Sequence, residues 1–259
     1  MVPGLQAVAN AGGLGSNLPL VTAARERFER TYGCDLGSLT IQVDTNIPRS
    51  VGLAGSSAII LAVLEVCAAV AQVEVTPMER ARLAHAVERR DLGIAGGWQD
   101  QVIQSHGVTA LMEFDEPMRL TPVRPPAGSS IPLFIAYAEH AAQDSGVGHA
   151  ALASTRRDEA VQRAMTDLAE HARAGAAAVA SCDIHTLKAA METTFSLRQK
   201  VMTIARPHLA MIDCAKQHGV AANFAGSGGA IVGVVPKRGE AFLQALQDEG
   251  YEVRSWNMT

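Results

Sequence analysis

The chain has 259 residues, of which 48% are hydrophobic and 19% charged, and its formal net charge at pH 7 is −4. This composition is that of a globular protein with a full hydrophobic core, and the length allows two subdomains. Because the sequence contains no basic block, nucleic acid is not expected as the main partner, and an anionic ligand would have to be held by a local site.

The cysteines and the histidines are scattered. The four cysteines are Cys34, Cys67, Cys182 and Cys214. Without CxxC spacing they are expected to be reduced thiols of a cytoplasmic protein. The histidines form no metal-binding motif, so no structural transition-metal site is expected. The start of the chain lacks the pattern of a secretion signal, and the longest apolar run, 58–71, is too short to span a bilayer, so no membrane partner is expected.

The first half of the chain is predicted to alternate between helices and strands. Residues 1–18, rich in glycine, alanine and asparagine, are expected to be loop or poorly ordered. The elements that follow are a helix 20–32, a strand 38–46, an apolar helix 58–70, a helix 77–92 with Thr76 as N-cap, a helix that ends near 107, and a strand 108–114.

The proline-rich segment 122–132 separates this half from the second. There the pattern predicts a strand 132–138, helices 149–180, 183–204 and 207–218, a short strand near 220, a strand 230–235, a helix 240–249 and a strand 251–255. Because strands and helices interleave without a regular βαβ period, the expected class is α+β with mainly antiparallel sheets.

The segment 46–58 has the composition of a phosphate-binding turn, since a proline-bounded glycine loop with two hydroxyls opens into the apolar helix. Gly52 and Gly55 let the backbone approach an anion closely. The unpaired N–H groups and the dipole at a helix N-terminus favour negative charge. Ser56 or Ser57 can offer an oxygen to a magnesium ion that bridges phosphates.

This turn allows two other interpretations. A Walker loop is excluded, because it needs a lysine and the first lysine of the chain is Lys188. An ordinary glycine turn, with Ser56 as the N-cap of a buried helix, stays open as an alternative.

Two carboxylates are candidates for phosphoryl-transfer chemistry. Asp100 follows the glycine-rich loop 93–97 at the start of a helix, where it could orient an acceptor hydroxyl and take its proton late. The alternative is a helix-capping aspartate. Glu88, twelve residues earlier in the chain, could be a magnesium ligand, and its alternative is a solvated charge beside Arg89 and Arg90.

The third glycine-rich turn, 223–229, allows two interpretations. Residues 225–229 approximate the nucleophile elbow of a serine hydrolase, which needs a strand before it and a helix after it. The residues that follow are typical of a strand instead. A glycine turn that joins two strands and lies close to a ligand therefore fits better.

These segments resemble the motifs of the GHMP kinase superfamily, which includes galacto-, homoserine, mevalonate and phosphomevalonate kinases. Residues 48–58 resemble its second motif, residues 97–101 its catalytic-aspartate turn, and residues 223–229 its C-terminal glycine motif. Within the superfamily the chain is most similar to the glucuronokinase type of sugar-1-kinase. The matching segments are 45–49, 52–59, 92–94, 99–100, 137–139, 144–146, 197–198 and 226–230.

The resemblance implies an α+β, two-domain GHMP kinase fold. It implies a truncated N-terminal ATP-binding domain, similar to the second domain of ribosomal protein S5, at residues 1–125, and an α+β C-terminal domain at 126–259. It also implies ATP and Mg²⁺ as cofactors and a sugar as substrate, phosphorylated on its anomeric hydroxyl.

The resemblance also implies a role for each matching residue. Asp100 would be catalytic, and Ser57 and Glu88 would hold the metal. The ATP phosphates would be bound by Gly52, Leu53, Ala54, Gly55, Ser56, Ser57 and Ala58. The substrate side would be formed by Arg49, Asp144, Ser145, Gly226, Ser227, Gly228 and Gly229.

One feature departs from the family pattern. Family members carry a first motif well upstream of the second, and none of the 47 residues before Pro48 resembles it. The chain is therefore expected to be either an N-terminally truncated kinase or a non-catalytic, nucleotide-binding remnant. A missing edge strand leaves unpaired backbone, which favours a homo-oligomer. A heptose- or hexose-phosphate kinase of the same superfamily is the other alternative.

Overall fold

The computed structural model describes residues 5–11, 19–48, 50–138, 155, 157–202, 204, 206–226 and 228–259, with the backbone alone at 5–11 and 207. By its contacts the chain forms two compact units. Unit 1 comprises Met1–Pro48 and Ala54–Val108, and unit 2 comprises Arg49–Leu53 and Thr109–Thr259. These units are defined by contacts and differ from the two domains, 1–125 and 126–259, that the family resemblance implies. The two domains stay a prediction.

Unit 1 contains one strand pair and most of the residues predicted to bind phosphate. Its elements are β1 (Leu5–Ala11), α1 (Pro19–Tyr32), β2 (Leu39–Thr45), α2 (Gly55–Ala71), α3 (Pro77–Ala86), a π-helical segment (Val87–Asp91) and α4 (Gln99–His106). The expected helices and the expected strand of this region are all present.

The prediction that residues 1–18 are loop or poorly ordered is wrong for β1. This strand pairs antiparallel with β2, with Leu5 opposite Thr45 and Ala11 opposite Leu39. Its residues have weak strand propensity, so the strand depends on the hydrogen-bonding partner that β2 supplies. Even the two paired residues nearest in sequence, Ala11 and Leu39, are 28 positions apart, so a local sequence pattern cannot reveal the pairing.

The core of unit 1 surrounds α2, which is apolar on nearly all sides. Its buried side chains include Ile60, Leu64 and Cys67, and they pack with Phe28 of α1. Burial raises the pKa of the Cys67 thiol to about 12, so this cysteine behaves as a small apolar residue. All four cysteines of the chain are free, as the sequence predicts.

The helix predicted at 77–92 is present, but its last turn is π-helical. Its start is as expected, because Thr76 and Glu79 form a reciprocal capping box and Pro77 occupies the first turn. From Val87 to Asp91 the backbone follows a π-helix. Such wider turns are rare and change the direction in which the side chains point. In this protein the π-helical turn carries Glu88, which is only 7% exposed.

Unit 2 is a mixed helical and antiparallel β unit. Its elements are β3 (Ala110–Glu113), β4 (Arg119–Pro122), β5 (Ile131–Tyr137), α5 (Glu159–Ser181), α6 (Ile184–Val201), α7 (Arg206–Gln217), β6 (Ala222–Ala225), β7 (Ala230–Val234), α8 (Glu240–Asp248) and β8 (Glu252–Met258). Strands β3 and β4 pair with each other, and the other four form a sheet in the order β6-β7-β5-β8.

All strand pairs of unit 2 are antiparallel, which confirms the α+β class. In the central strand Tyr137 lies opposite Ala230 on one side and Glu252 on the other. One face of the sheet packs on a buried cluster in which Phe134 and Phe242 meet edge to face, with ring centroids 5.0 Å apart. The four-stranded sheet thereby holds the turn between β6 and β7 on a rigid base.

Within the part of the chain that the structure describes, no helix is both long and apolar enough to cross a membrane.

Candidate functional site

The N-terminus of α2 has no side-chain cap. Its N-cap residue is Ala54, which has a left-handed backbone (φ 54°) and makes no capping hydrogen bond through its side chain. The N–H group of Ala58 bonds to the carbonyl of Ala54 at 3.1 Å. The N–H groups before it precede the first bond of the helix, so they are available to an anion. The alternative with Ser56 as N-cap is wrong.

A buried polar cluster lies at this helix terminus, entirely within unit 1. The carboxylate of Glu88 accepts hydrogen bonds from Ser56 Oγ at 2.8 Å and from Ser57 Oγ at 3.3 Å. Gln101 Nε2 donates to Ser57 Oγ at 3.1 Å and also to Glu88 Oε2. Ser57 and Gln101 are 2% and 1% exposed. Glu88 is therefore not a solvated surface charge, and that alternative is wrong.

The electrostatics of the cluster favour a cation. Burial raises the pKa of Glu88, the hydrogen bonds from Ser56 and Ser57 lower it, and the negative charge of Asp100 raises it again. Asp100 thus lies within electrostatic reach of Glu88. Two acidic groups that share a partly dehydrated region are stabilised by a bound positive ion.

The donor set fits a hard divalent cation. Magnesium prefers oxygen ligands from one or two carboxylates and from nucleotide phosphates, and it keeps several waters. Glu88 and the two serine hydroxyls supply such oxygens. In addition, Gln101 Oε1 is buried and has no hydrogen-bond partner within the described ranges. The residues predicted to bind Mg²⁺, Ser57 and Glu88, therefore meet in a site with a free acceptor oxygen beside them.

Asp100 lies in the first turn of α4, as the sequence predicts. The N-cap position belongs to Trp98, so the interpretation of Asp100 as the capping residue is wrong. The positive end of the helix dipole favours the ionised carboxylate at this place. Among the residues predicted for catalysis and metal binding, the structure brings Ser57, Glu88 and Asp100 into one region of unit 1.

The glycine turn of unit 2 joins β6 to β7, and the β6–β7 pair closes with Ala225 opposite Ala230. Because a strand follows the turn, the nucleophile-elbow interpretation is wrong. The turn packs against the backbone of the loop that precedes α2 in the chain. A Cβ atom on Gly52 would lie 2.7 Å from the carbonyl oxygen of Ala225, and one on Gly226 would lie 2.5 Å from the carbonyl oxygen of Gly52.

This backbone contact also involves Gly229, where an added Cβ would lie 2.6 Å from the Cα of Val51. Gly52 has φ +77° and Gly229 φ +92°, a region that glycine adopts without strain. The two glycine-rich segments are therefore held together by glycines that face each other, within unit 2. Leu53 packs beside them with Val51 and Tyr137.

Arg198 of α6 binds the backbone of the β6–β7 turn. Its guanidinium donates to the carbonyl of Phe224 at 3.2 Å and to that of Gly226, and it lies 5.8 Å from the centroid of the Phe224 ring. Burial lowers the pKa of Arg198. No role was predicted from the sequence for Arg198 or Gln101, although both lie in segments that resemble the family pattern, 197–198 and 97–101. For Gln101 a signal was available, since it adjoins Asp100 in the first helical turn.

The predicted site residues thus divide into three groups. Ala54, Gly55, Ser56, Ser57, Ala58, Glu88 and Asp100 belong to unit 1. Gly52, Leu53, Gly226, Gly228 and Gly229 belong to unit 2. Arg49, Asp144, Ser145 and Ser227 lie outside the residues that the structure describes.

Comparison with known proteins finds similarity to kinases. Residues 19–108 match the GHMP kinases N terminal domain family. A probable glucuronokinase 2 from Arabidopsis thaliana is 31% identical over 236 residues, which cover 82% of this chain and 61% of the plant protein. A D-glycero-alpha-D-manno-heptose 7-phosphate kinase from Campylobacter jejuni is 36% identical over 77 residues, which cover 30% of this chain and 23% of that kinase.

A solved structure shows the same fold. The complex of Streptococcus pneumoniae phosphomevalonate kinase with phosphomevalonate and AMPPNP has a TM-score of 0.80 at 14% identity, and the match covers 98% of this chain and 90% of that one. The chain spans only 61% of the length of the plant glucuronokinase. By these matches the chain is similar to the GHMP kinases in its fold and in residues 19–108, and over 82% of its length it is similar in sequence to the glucuronokinases.

Proposed function

We propose that the protein is an ATP-dependent sugar kinase that phosphorylates the anomeric hydroxyl of a uronic acid such as glucuronate. The observation that carries this proposal is the buried carboxylate of Glu88, which Ser56, Ser57 and Gln101 hold at the uncapped end of α2, near Asp100. The names of the plant relatives support a uronic acid as the acceptor. We assign the activity to the cytoplasm, where ATP and reduced cysteines both occur.

The loop before α2 and the first turn of that helix bind the phosphates of ATP in this proposal. The backbone N–H groups of Gly55, Ser56 and Ser57 would donate hydrogen bonds to the phosphates. No capping side chain occupies this end of the helix. Ser57 and Glu88 would hold Mg²⁺, which would supply positive charge to neutralise the phosphates. Gly52 holds the loop before α2 in place, because its backbone contacts the turn between β6 and β7.

Asp100 orients the acceptor hydroxyl. As the hydroxyl oxygen bonds to the γ-phosphorus, the bond from that phosphorus to the bridging oxygen breaks and ADP leaves. The hydroxyl proton passes to the Asp100 carboxylate. An aspartate carboxylate is a weak base, so the proton moves late, when the oxygen has become acidic. Arg49, Asp144, Ser145 and the turn 226–229 are proposed to contact the sugar.

The proposal is tested by mixing the protein with Mg-ATP and a panel of uronic acids and hexoses, and measuring ADP release. We expect turnover with a uronic acid and a product phosphorylated at the anomeric carbon. If none of the sugars in the panel is phosphorylated, the proposal is contradicted. That result would favour a nucleotide-binding protein without catalytic activity.

Replacing the proposed catalytic carboxylate separates chemistry from binding. Asp100→Asn is expected to lower kcat by about 100-fold or more, since it removes the proton acceptor. The affinity for a non-hydrolysable ATP analogue should change little. Asp115→Asn, at an exposed position, serves as the control with the same loss of charge. If Asp100→Asn turns over as fast as the parent protein, the role of Asp100 is wrong.

A second candidate is a heptose- or hexose-phosphate kinase. The 77-residue match to the Campylobacter jejuni heptose 7-phosphate kinase supports it. Adding heptose and hexose phosphates to the same panel distinguishes the two, because a sugar phosphate would then be preferred to a uronic acid in kcat/KM.

A further inference from the structure

Gln101 has a defined orientation in the buried cluster. A carboxylate accepts hydrogen bonds and cannot donate them, so the amide of Gln101 must present its Nε2 to Glu88. Its second N–H group donates to Ser57 Oγ. Both hydrogens of the amide nitrogen are therefore in use, and the side chain cannot be turned over without losing the contact with the carboxylate.

This orientation leaves one acceptor without a partner. Gln101 Oε1 is buried, and no donor within hydrogen-bond distance is found in the described part of the chain. The residue as a whole is 1% exposed. A buried carbonyl oxygen that is not hydrogen-bonded is destabilising, and native proteins usually satisfy it with protein, water or a ligand.

The neighbours of this oxygen indicate what satisfies it. Glu88 and Ser57, which the same amide contacts, are the residues proposed to hold the divalent ion. A magnesium ion keeps several of its waters when it binds a protein, and each such water is a strong hydrogen-bond donor.

We propose that Gln101 belongs to the divalent-cation site, where its Nε2 fixes Glu88 and Ser57 and its Oε1 accepts a hydrogen bond from a water bound to the ion. This inference rests on the proposed kinase function for the presence of the ion. It adds a positioning residue that acts through the metal ligands and is distinct from Asp100, which adjoins it in the chain. Outer-shell partners of this kind orient the ligands of a metal and tune its affinity.

The test measures ion binding without sugar turnover. Mn²⁺ is titrated into the protein with a non-hydrolysable ATP analogue, and bound ion is followed by water proton relaxation. Gln101→Met, which keeps the length of the side chain and removes both polar atoms, is expected to weaken Mn²⁺ binding by about 10-fold to 100-fold. Ser105→Ala is the control, because it removes another buried hydroxyl from α4 that has no partner in the described structure.

A thermal-unfolding measurement in EDTA separates this role from a purely structural one. We expect the midpoint of Gln101→Met in EDTA to stay close to that of the parent, while the stabilisation by Mn²⁺ and nucleotide is lost. Gln101→Asn, which keeps the amide and withdraws it by one methylene, should also weaken Mn²⁺ binding. An unchanged Mn²⁺ affinity in both variants, or a parent protein that binds no Mn²⁺ with the nucleotide, would overturn the inference.

Failure of the kinase proposal would look different. If the parent binds Mn²⁺ and nucleotide but phosphorylates no sugar, the proposed function fails while the comparison of Gln101→Met with Ser105→Ala still decides the role of Gln101.

Discussion

At the scale of single residues, Glu88 shows why a carboxylate cannot be judged by its neighbours in the sequence. Arg89 and Arg90 follow it directly, which is typical of a solvated surface. Yet the π-helical turn directs Glu88 inward, where two serine hydroxyls and an amide surround it. The free energy of burying the charge is offset by these hydrogen bonds and, in our proposal, by the ion.

A second carboxylate, Asp183, allows a prediction about pH. It is the N-cap of α6 and accepts hydrogen bonds from Thr186 N at 3.1 Å and Thr186 Oγ1 at 2.6 Å. These bonds lower its pKa below the ordinary value of 3.8. Because the pKa is lower in the folded state, the stabilisation is fully present above pH 3.8 and is lost as the pH falls through the folded value.

Asp183→Asn is therefore expected to lower the thermal midpoint at pH 6, with a difference from the parent that shrinks below pH 3.8. Asparagine keeps a capping oxygen but cannot ionise. Asp167→Asn, at an exposed position within α5, controls for the loss of one charge. A difference from the parent that grows on acidification would contradict this assignment.

At the scale of elements, the loop before α2 and the β6–β7 turn depend on each other. From the sequence, the glycines of both segments were predicted to let the backbone approach a ligand. The structure adds another reason, since Gly52, Gly226 and Gly229 allow two backbones to touch. Arg198 donates hydrogen bonds to two carbonyls of the β6–β7 turn, which lie 26 and 28 positions after it in the chain. Helix α6 therefore helps to fix the shape of that turn.

Gly52→Ala tests this contact. The new Cβ would lie 2.7 Å from the carbonyl oxygen of Ala225 at a φ of +77°, so both strain and a backbone clash are expected. Gly128→Ala is the matched control in unit 2, because its φ is +81° and nothing lies within 4 Å of the added atom.

The left-handed backbone alone costs an L-residue about 1–2 kcal/mol, and both variants share that cost. We expect Gly52→Ala to lower the free energy of unfolding by more than Gly128→Ala does, as measured by urea denaturation. Equal losses in the two variants would show that the backbone contact is unimportant for stability.

At the scale of the whole molecule, each unit has its own hydrophobic core. The cluster around α2 in unit 1 includes Ile60, and the cluster on the sheet of unit 2 includes Ile231, each fully buried. The two clusters have no residue in common among the described residues.

Ile60→Val and Ile231→Val are each expected to reduce the free energy of unfolding by about 0.5–1.5 kcal/mol, because each removes one buried methyl group. With no shared neighbours, the effects should add within about 0.5 kcal/mol in the double variant. Calorimetry of the parent, both single variants and the double variant measures this. A coupling of about 1 kcal/mol or more would mean that the two cores do not act separately.

The amino-acid sequence by itself determined the order, type and approximate limits of most helices and strands, the antiparallel α+β class and the motifs of the superfamily. These depend on short-range periodicity and on caps such as that at Thr76, which a few neighbouring residues specify. The tertiary structure alone decided that Glu88 is buried, that Gln101 joins it, that Arg198 holds the glycine turn and that β1 pairs with β2. Those outcomes depend on which distant groups meet, and packing and hydrogen-bond satisfaction across the fold select them.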